Sequence, residues 1–487
     1  MKRKILYFFT ILLALFVAAN LINENTFSLQ YAYAADDEDA AESIEPAEKV
    51  QPKSLEIPQI PEEYNIVETY ETDWPDFMSY NIKYDKYDVY PNYIVNLSSY
   101  SRKIYEQPDK SSEVLEKIRY GNKCQTIALI KNEDESLWYV VVFEDEEDDG
   151  KTKLGYVREE RVDKREFQLD VMKEYLDDVT SFHGMGHIVY VENYRYKNGY
   201  PPRMPNGSYY DDYGYRRGQS IAGYYSSDFE GKFRYIQDGM LGVVEQVIVT
   251  TDATEDAIVI DGKGHFVAKE ELSDYFPQGD NAADDAAKSS TSDDEEGPKT
   301  PVELYNANTE VQAVKLYIPS FGESLWVKPV YISEDEKSPD VLNQTIIVDR
   351  KNQNIVVFEY NDGWEIISMS YASTGKVGEF SLPTPLGYYM AISKKIKFDY
   401  LEDGTFDIVG FAPYAIRFSG GGYLHGVPMA YSFNEQGNKV SPGYYEEYLS
   451  SIGTVPRSHM CVRNYTSHAE FMYNWIDIGN CAVIVIE

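Results

Sequence analysis

A thiol and an imidazole stand two residues apart in Arg457-Ser458-His459-Met460-Cys461-Val462-Arg463-Asn464. The chain of 487 residues holds only three Cys and six His, so chance seldom assembles this company. A thiol is a weak nucleophile until it ionises, and a nearby imidazole lowers its pKa. On an extended segment His459 and Cys461 would face the same side. A second imidazole lies upstream in Tyr423-Leu424-His425-Gly426-Val427, after the run Ser419-Gly420-Gly421-Gly422. Such glycines let backbone approach a ligand closely. The candidate constellation is therefore His425, Ser458, His459, Cys461 and Arg463. The competing reading is a buried strand cysteine, a small hydrophobe with unrelated histidines nearby.

These residues resemble the active-site pattern of the L,D-transpeptidases of bacterial cell walls, a His-Gly followed by Ser/Thr-His-Gly-Cys, a hydrophobic residue and Arg or Asn. Here the match is His425-Gly426, then Ser458-His459-Met460-Cys461-Val462-Arg463. Ser373-Thr374-Gly375-Lys376 and Thr384-Pro385-Leu386-Gly387 resemble two further signatures of that family, read here as turns that position strands. Two departures stand out. Met460 occupies the usual Gly position, and the gap from His425 to Ser458 is long, with Tyr444-Tyr445-Glu446-Glu447-Tyr448 in it as a candidate lid.

The resemblance implies a reaction and roles. Cys461 would attack the carbonyl before the terminal D-Ala of a peptidoglycan tetrapeptide stem, release D-Ala and hold a thioester. An amine of a second stem would then give a 3→3 cross-link, and water would give an L,D-carboxypeptidase. His425 is assigned as general base and acid and His459 as orienting or assisting, although the sequence does not rank two imidazoles. Backbone N–H groups at Met460 and Cys461 would serve as oxyanion donors, with Ser458 and Gly426 supporting the loop. Arg463 either holds a substrate carboxylate or pairs with a structural acid, and Asn464 and Tyr423 complete the substrate-binding candidates. The resemblance implies no cofactor, and acylation by β-lactams of the carbapenem type. Cysteine wall endopeptidases place Cys well before His, whereas the one later histidine here is His468. A third reading is a non-catalytic wall-binding protein.

The expected fold is mainly β and multidomain. The C-terminal domain, 343–487, would be β-sandwich-like with a short helix starting at the capping-box pattern Ser467-His468-Ala469-Glu470. Residues 1–34 read as a signal peptide, with Lys2-Arg3-Lys4, an apolar run and Ala32-Tyr33-Ala34, or alternatively as an uncleaved anchor. The chain is thus expected outside the cytoplasmic membrane, associated with the wall. Residues 35–90 are acidic and punctuated by Pro, the mark of a spacer. Short strands between turns over 91–163 resemble a bacterial SH3-type module, with Gln107-Pro108-Asp109, Tyr120-Gly121, Trp138-Tyr139-Val140 and Gly155-Tyr156-Val157 in order. Residues 164–277 are rich in Tyr and suggest a second, enlarged module. Residues 278–300 are a low-complexity linker and domain boundary, and 301–342 lead-in strands.

The formal charge of −36 argues against nucleic acid as a partner. Three Cys form no disulfide framework, and no Cys/His spacing suits zinc. His183-Gly184-Met185-Gly186-His187 is a turn in preference to a metal site, for want of acidic or thiol co-ligands. Oligomeric state leaves no mark on the sequence.

Overall fold

The computed structural model describes residues 49–145, 151–212, 215–251, 254–261, 266–268, 310–333, 341–379, 381–403, 405 and 407–487. The candidate signal peptide and the linker 278–300 lie outside them, as does the first part of the spacer. The described chain is mainly β, in four large sheets with two α-helices, α1 (Leu169–Ser181) and α2 (Thr466–Trp475).

Two packed sheets near the C-terminus carry the catalytic candidates. One runs, in spatial order, Ser79–Tyr84, Trp364–Tyr371, Asn354–Tyr360, Gln344–Asp349, Cys481–Ile486 and Gly387–Met390. Its central strands are apolar on both faces, as expected for strands covered on both sides. The other runs Ser393–Leu401, Ile408–Ser419, Gly422–His425 and Val462–Arg463. Ile346, Val348, Val357 and Val483 of the first meet Ile416, Phe418, Leu424 and Val462 of the second in one buried core, closed by Met472 and Ile476 from α2 and its exit.

The opposite face of the first sheet is covered from far upstream. Met172, Leu176 and Val179 recur on one side of α1 and pack on Phe358, Ile366, Tyr388 and Ile484. Tyr388 donates its hydroxyl proton to Asp178, and Trp364 Nε1 donates to Thr180 Oγ1 at 2.9 Å.

Three expectations need correction. Residues 49–90 are no spacer. Asn65–Thr69 pairs with Lys123–Lys131, and Ser79–Tyr84 adds in parallel to Trp364–Tyr371, burying Met78, Tyr80 and Ile82. The many Pro and acidic residues masked a short strand with clean alternation. Secondly, 301–342 does not lead into the last domain. Glu310–Ile318 pairs with Leu241–Thr251 and with Glu323–Val327, which also meets Ser220–Tyr224, so the middle sheet takes strands from both sides of 278–300. Residues 164–277 are therefore no self-contained module, since their helix covers one sheet and their strands need 310–327. Low complexity marks a change of composition, and here that change falls inside one sheet.

The N-terminal sheet runs Val114–Ile118, Arg102–Tyr105, Lys151–Arg158, Leu137–Asp145, Lys123–Lys131, Asn92–Val95 and Asp163–Glu166. The turn at Gln107-Pro108-Asp109 is present, held by Asp109 N–H to Gln107 O at 2.7 Å. Beyond the strands expected over 91–163, Asn65–Thr69 joins this sheet as well.

Candidate active site

Val462 and Arg463 form a short parallel ladder with Leu424 and His425, in the register Leu424 to Val462 and His425 to Arg463. Alternation then decides what each residue faces. Leu424 and Val462 point into the core and are fully buried, each stabilising the fold by about 1.5–3 kcal/mol. Tyr423, His425, Cys461 and Arg463 share the other face. Tyr423 and Cys461 pack there with Ala415 and Phe398, and the Phe398 ring stacks on Tyr423 at 4.4 Å and lies 5.5 Å from His425. Thiol and imidazole thus come from adjacent strands that 36 residues of sequence separate, held by the hydrophobic pair behind them.

The loop into Cys461 is fastened on all sides. Ser458 Oγ donates to Cys461 O, and the Ser458 and Arg457 N–H groups donate to Thr374 O at 3.1 and 2.8 Å. Lys376 N–H donates to Ser458 O at 3.0 Å, and Thr384 Oγ1 donates to Met460 O at 2.8 Å. The two turn signatures, 373–376 and 383–387, are thus the struts of this loop. A Cβ on Gly375 would lie 2.7 Å from Met460 Cα, which no side chain tolerates.

Met460 has φ +146°, a conformation that favours glycine. It is nevertheless buried, with Sδ over Gly422. The bend breaks the alternation that would place His459 beside Cys461. His459 instead turns out to Asp403, bonding it through Nε2, and remains half-exposed. Of the two imidazoles, the one on the thiol's face is His425.

His425 is 3% exposed, and Nδ1 lies 2.6 Å from Gly426 O. A carbonyl only accepts, so Nδ1 carries the proton and Nε2 keeps its lone pair. Burial pushes the pKa down to about 4, with Arg463 adding to the effect and the Gly426 hydrogen bond opposing it. The ring is neutral at physiological pH, the state a general base needs.

Cys461 is 8% exposed, and its thiol donates to Gly421 O at 3.6 Å. Burial pushes the thiol up to about 11, while a backbone hydrogen bond from Tyr423 and the Arg463 charge pull it down. The resting thiol is therefore protonated, and the imidazole on the same face is neutral.

Burial lowers the Arg463 pKa, with the Cys461 and Tyr400 charges opposing. Its backbone exchanges hydrogen bonds with Ser373 at 2.8 and 2.9 Å, its Nε is buried without a partner, and no carboxylate pairs with it among the described residues. Asn464 differs from expectation. It faces the core, fully buried, and its amide donates to Val462 O at 3.2 Å and His425 O at 3.4 Å, so it fastens the ladder and has no access to substrate. Tyr423 is buried against Phe398.

The stretch Tyr444 to Tyr448 is pinned down. Tyr448 stacks on Tyr465 at 5.5 Å, and Glu447 accepts from the Ser467 N–H at 2.8 Å and from Tyr87 at 3.0 Å. Ser467 caps nothing. It lies inside α2, whose first turn takes its carboxylate from Glu447. His468 is buried against Ser368 Oγ at 2.9 Å. His183 meets Leu342 backbone at 3.2 Å.

Sequence reasoning missed Phe398, Asp403 and Thr384. Thr384 carried a signal, because it stands in one of the two turn signatures. Phe398 and Asp403 lie on a hairpin of ordinary composition and carried none.

Residues 343–485 match the family model of the L,D-transpeptidase catalytic domain. Similar solved structures include an L,D-transpeptidase from Mycobacterium smegmatis, at 19% identity over 37% of this chain and 70% of that one, with a TM-score of 0.23. L,D-transpeptidase 3 from Mycobacterium tuberculosis in complex with a faropenem-derived adduct is 22% identical over 36% and 68%, with a TM-score of 0.22. An L,D-transpeptidase solved in complex with imipenem is 16% identical over 36% and 67%, with a TM-score of 0.23. At these scores the structural likeness carries no argument, and the family model is what ties 343–485 to these enzymes. No curated protein matches the chain.

Proposed function

We propose that the chain is a peptidoglycan L,D-transpeptidase working through a Cys461 thioester. The observation that carries this reading is the shared face of Cys461 and His425 on a two-residue parallel ladder, inside the segment that matches the catalytic-domain model.

In this reading His425 Nε2 takes the Cys461 proton as sulfur attacks the carbonyl before the terminal D-Ala of a tetrapeptide stem. The tetrahedral oxyanion is held by the N–H groups of Met460 and Cys461. His425 returns the proton to the departing amine, and D-Ala leaves. An amine of a second stem, deprotonated by His425, attacks the thioester and frees the thiol, giving a 3→3 cross-link. With water as the acceptor, the same site trims the stem as an L,D-carboxypeptidase. Arg463 supplies the cation for a substrate carboxylate, supported by its lack of a carboxylate partner among the described residues. His459 acts from outside, on the Asp403 side. β-Lactams of the carbapenem class would acylate Cys461 in place of the stem. The N-terminal sequence supports export to the wall, and the SH3-type resemblance of 91–163 supports wall binding there.

The test is intact mass after incubation with a disaccharide-tetrapeptide, wild type beside Cys461→Ala. A Cys461-dependent acyl adduct with D-Ala release and a 3→3 dimer is the expected result. Release without dimer would identify the carboxypeptidase. No adduct and no release would leave a wall-binding protein.

A further inference from the structure

The N-terminal sheet reaches the chain that leads into Cys461. The segment from Ser450 to Thr454 is held from two sides. On one side Ser373 Oγ donates to Ser451 O at 2.8 Å and accepts from Gly453 N–H at 3.1 Å. On the other side Lys123 Nζ donates to Ile452 O at 2.6 Å, and Arg165 Nη1 donates to Gly453 O at 3.1 Å. The Tyr120 hydroxyl donates to Thr454 Oγ1 at 3.3 Å and accepts from Arg457. The approach is so close that a Cβ on Gly121 would lie 1.8 Å from Ser450 O. Ile452 and Gly453 are buried, and buried carbonyls need donors. Among the described residues no backbone N–H supplies one, and Lys123 and Arg165 do. Arg165 is itself buried, and Lys123 Nζ stands 4.6 Å from the Tyr371 ring centre. Beyond this segment Thr374 O takes the N–H groups of Arg457 and Ser458, and Ser458 Oγ donates to Cys461 O. Unbroken hydrogen bonding thus runs from the N-terminal sheet through Ser373 and Thr374 to the nucleophile loop.

We propose that Lys123 and Arg165 are positioning residues of the Cys461 site: their side-chain donors hold the Ile452 and Gly453 carbonyls and so fix the chain that enters Arg457-Ser458-His459-Met460-Cys461. The N-terminal sheet is then part of the catalytic unit as well as a neighbour of it. The proposal rests on the reading of Cys461 as the nucleophile. Without either donor a buried carbonyl is left unpaired, and the segment relieves this by moving toward water. The movement passes along the hydrogen bonds of Ser373 and Thr374 to Ser458, and reaches the sulfur as a looser, more open loop.

The experiment compares Lys123→Met and Arg165→Met with Val140→Ala in the full chain. Val140 is fully buried in the core of the same sheet, so its truncation weakens the sheet without removing a donor to 452 or 453. Two rates are read: alkylation of Cys461 by iodoacetamide, followed by peptide mapping, and its single-turnover acylation by a disaccharide-tetrapeptide. In both Met variants alkylation should be about tenfold faster, because the buried thiol opens to solvent. Acylation should be about tenfold slower at unchanged substrate half-saturation, because the sulfur is misplaced. Arg165→Lys, which keeps a donor for one carbonyl, should recover most of the wild-type behaviour. Val140→Ala should keep both wild-type rates at a lowered melting temperature. Lys123→Gln, a milder change with a shorter reach, carries the same expectation should Lys123→Met not fold. Wild-type rates in the Lys123 and Arg165 variants would overturn the proposal. So would equal shifts in Val140→Ala, since the effect would then be stability alone. A wild type that is alkylated but never acylated would refute the transpeptidase reading, and alkylation would still decide the proposal.

Discussion

His425 and Arg463 are register partners across a parallel ladder only two residues long. That pairing puts an imidazole and a guanidinium on the face that holds Cys461, with Arg463 helping to keep the ring neutral. It also separates the two imidazoles near the thiol, since His459 lies beyond the bend at Met460 and bonds Asp403. His425→Ala should therefore cost about a thousandfold in Cys461 acylation, within the roughly 10²–10⁴ typical of a lost general base. His459→Ala should cost less than about tenfold. Single-turnover acylation of the two variants ranks the imidazoles directly, and a larger loss at His459 would reverse the assignment.

Met460 yields a comparison between two truncations. Removing a buried methionine side chain costs about 2–5 kcal/mol. A non-glycine residue in a sparsely populated backbone region costs of order 1–3 kcal/mol, and glycine is free of that cost at φ +146°. Met460→Gly should therefore be more stable than Met460→Ala by about 1 kcal/mol, the reverse of the usual order. Denaturant midpoints of the two variants decide it.

Acid stability should depend on the buried histidines. Burial holds His425 down to about 4 and His468 to about 3, both below the unfolded value of 6.5. The folded state keeps them neutral while the unfolded chain protonates. Their contribution is therefore complete above pH 6.5 and is lost as pH falls through 4 and then 3. For His425 this amounts to roughly 3 kcal/mol, at about 1.4 kcal/mol for each pH unit. His468→Gln, whose amide can still bond Ser368, should show a smaller drop in melting temperature between pH 6.5 and 4 than wild type. Equal slopes would mean that His468 is charged in the fold.

Residues 343–487 expressed alone should not form a native domain. They lack α1, which buries Met172, Leu176 and Val179 on their sheet, and the edge strand Ser79–Tyr84. A chain beginning at 301 also lacks Leu241–Thr251, the partner of Glu310–Ile318. Lost near-UV circular dichroism and a broad thermal transition are expected for both, against one sharp transition for 49–487. A sharp transition for 343–487 would show that the upstream elements are dispensable.

The site was largely legible, because its signals are local. The thiol, the imidazole and the glycine run are visible as residue types, and alternation in Tyr423-Leu424-His425 and Cys461-Val462-Arg463 is a two-residue pattern. His459 was misplaced by the same rule, since alternation presumes extended backbone and Met460 departs from it. Asn464 was misread because a polar residue beside a nucleophile looks the same whether it faces substrate or backbone. The domain plan was the less legible part. Nothing within Ser79–Tyr84 names Trp364–Tyr371 as its partner, and nothing in 310–327 separates a lead-in strand from a strand that returns to an earlier sheet. Pairings of that kind are settled by the assembled core.

The parallel strand at Ser79–Tyr84 also bears on how the chain reaches its fold. Asn81 donates to Glu365 at 3.3 Å across 284 residues of sequence. Contacts of such separation slow folding, since loop-closure entropy is met before the contact rewards it. During synthesis Tyr80 and Ile82 emerge long before the strand that covers them exists, as an open edge able to pair wrongly. This sheet thus has one strand waiting well before its other members are made, so refolding from denaturant should be slow and should depend on concentration.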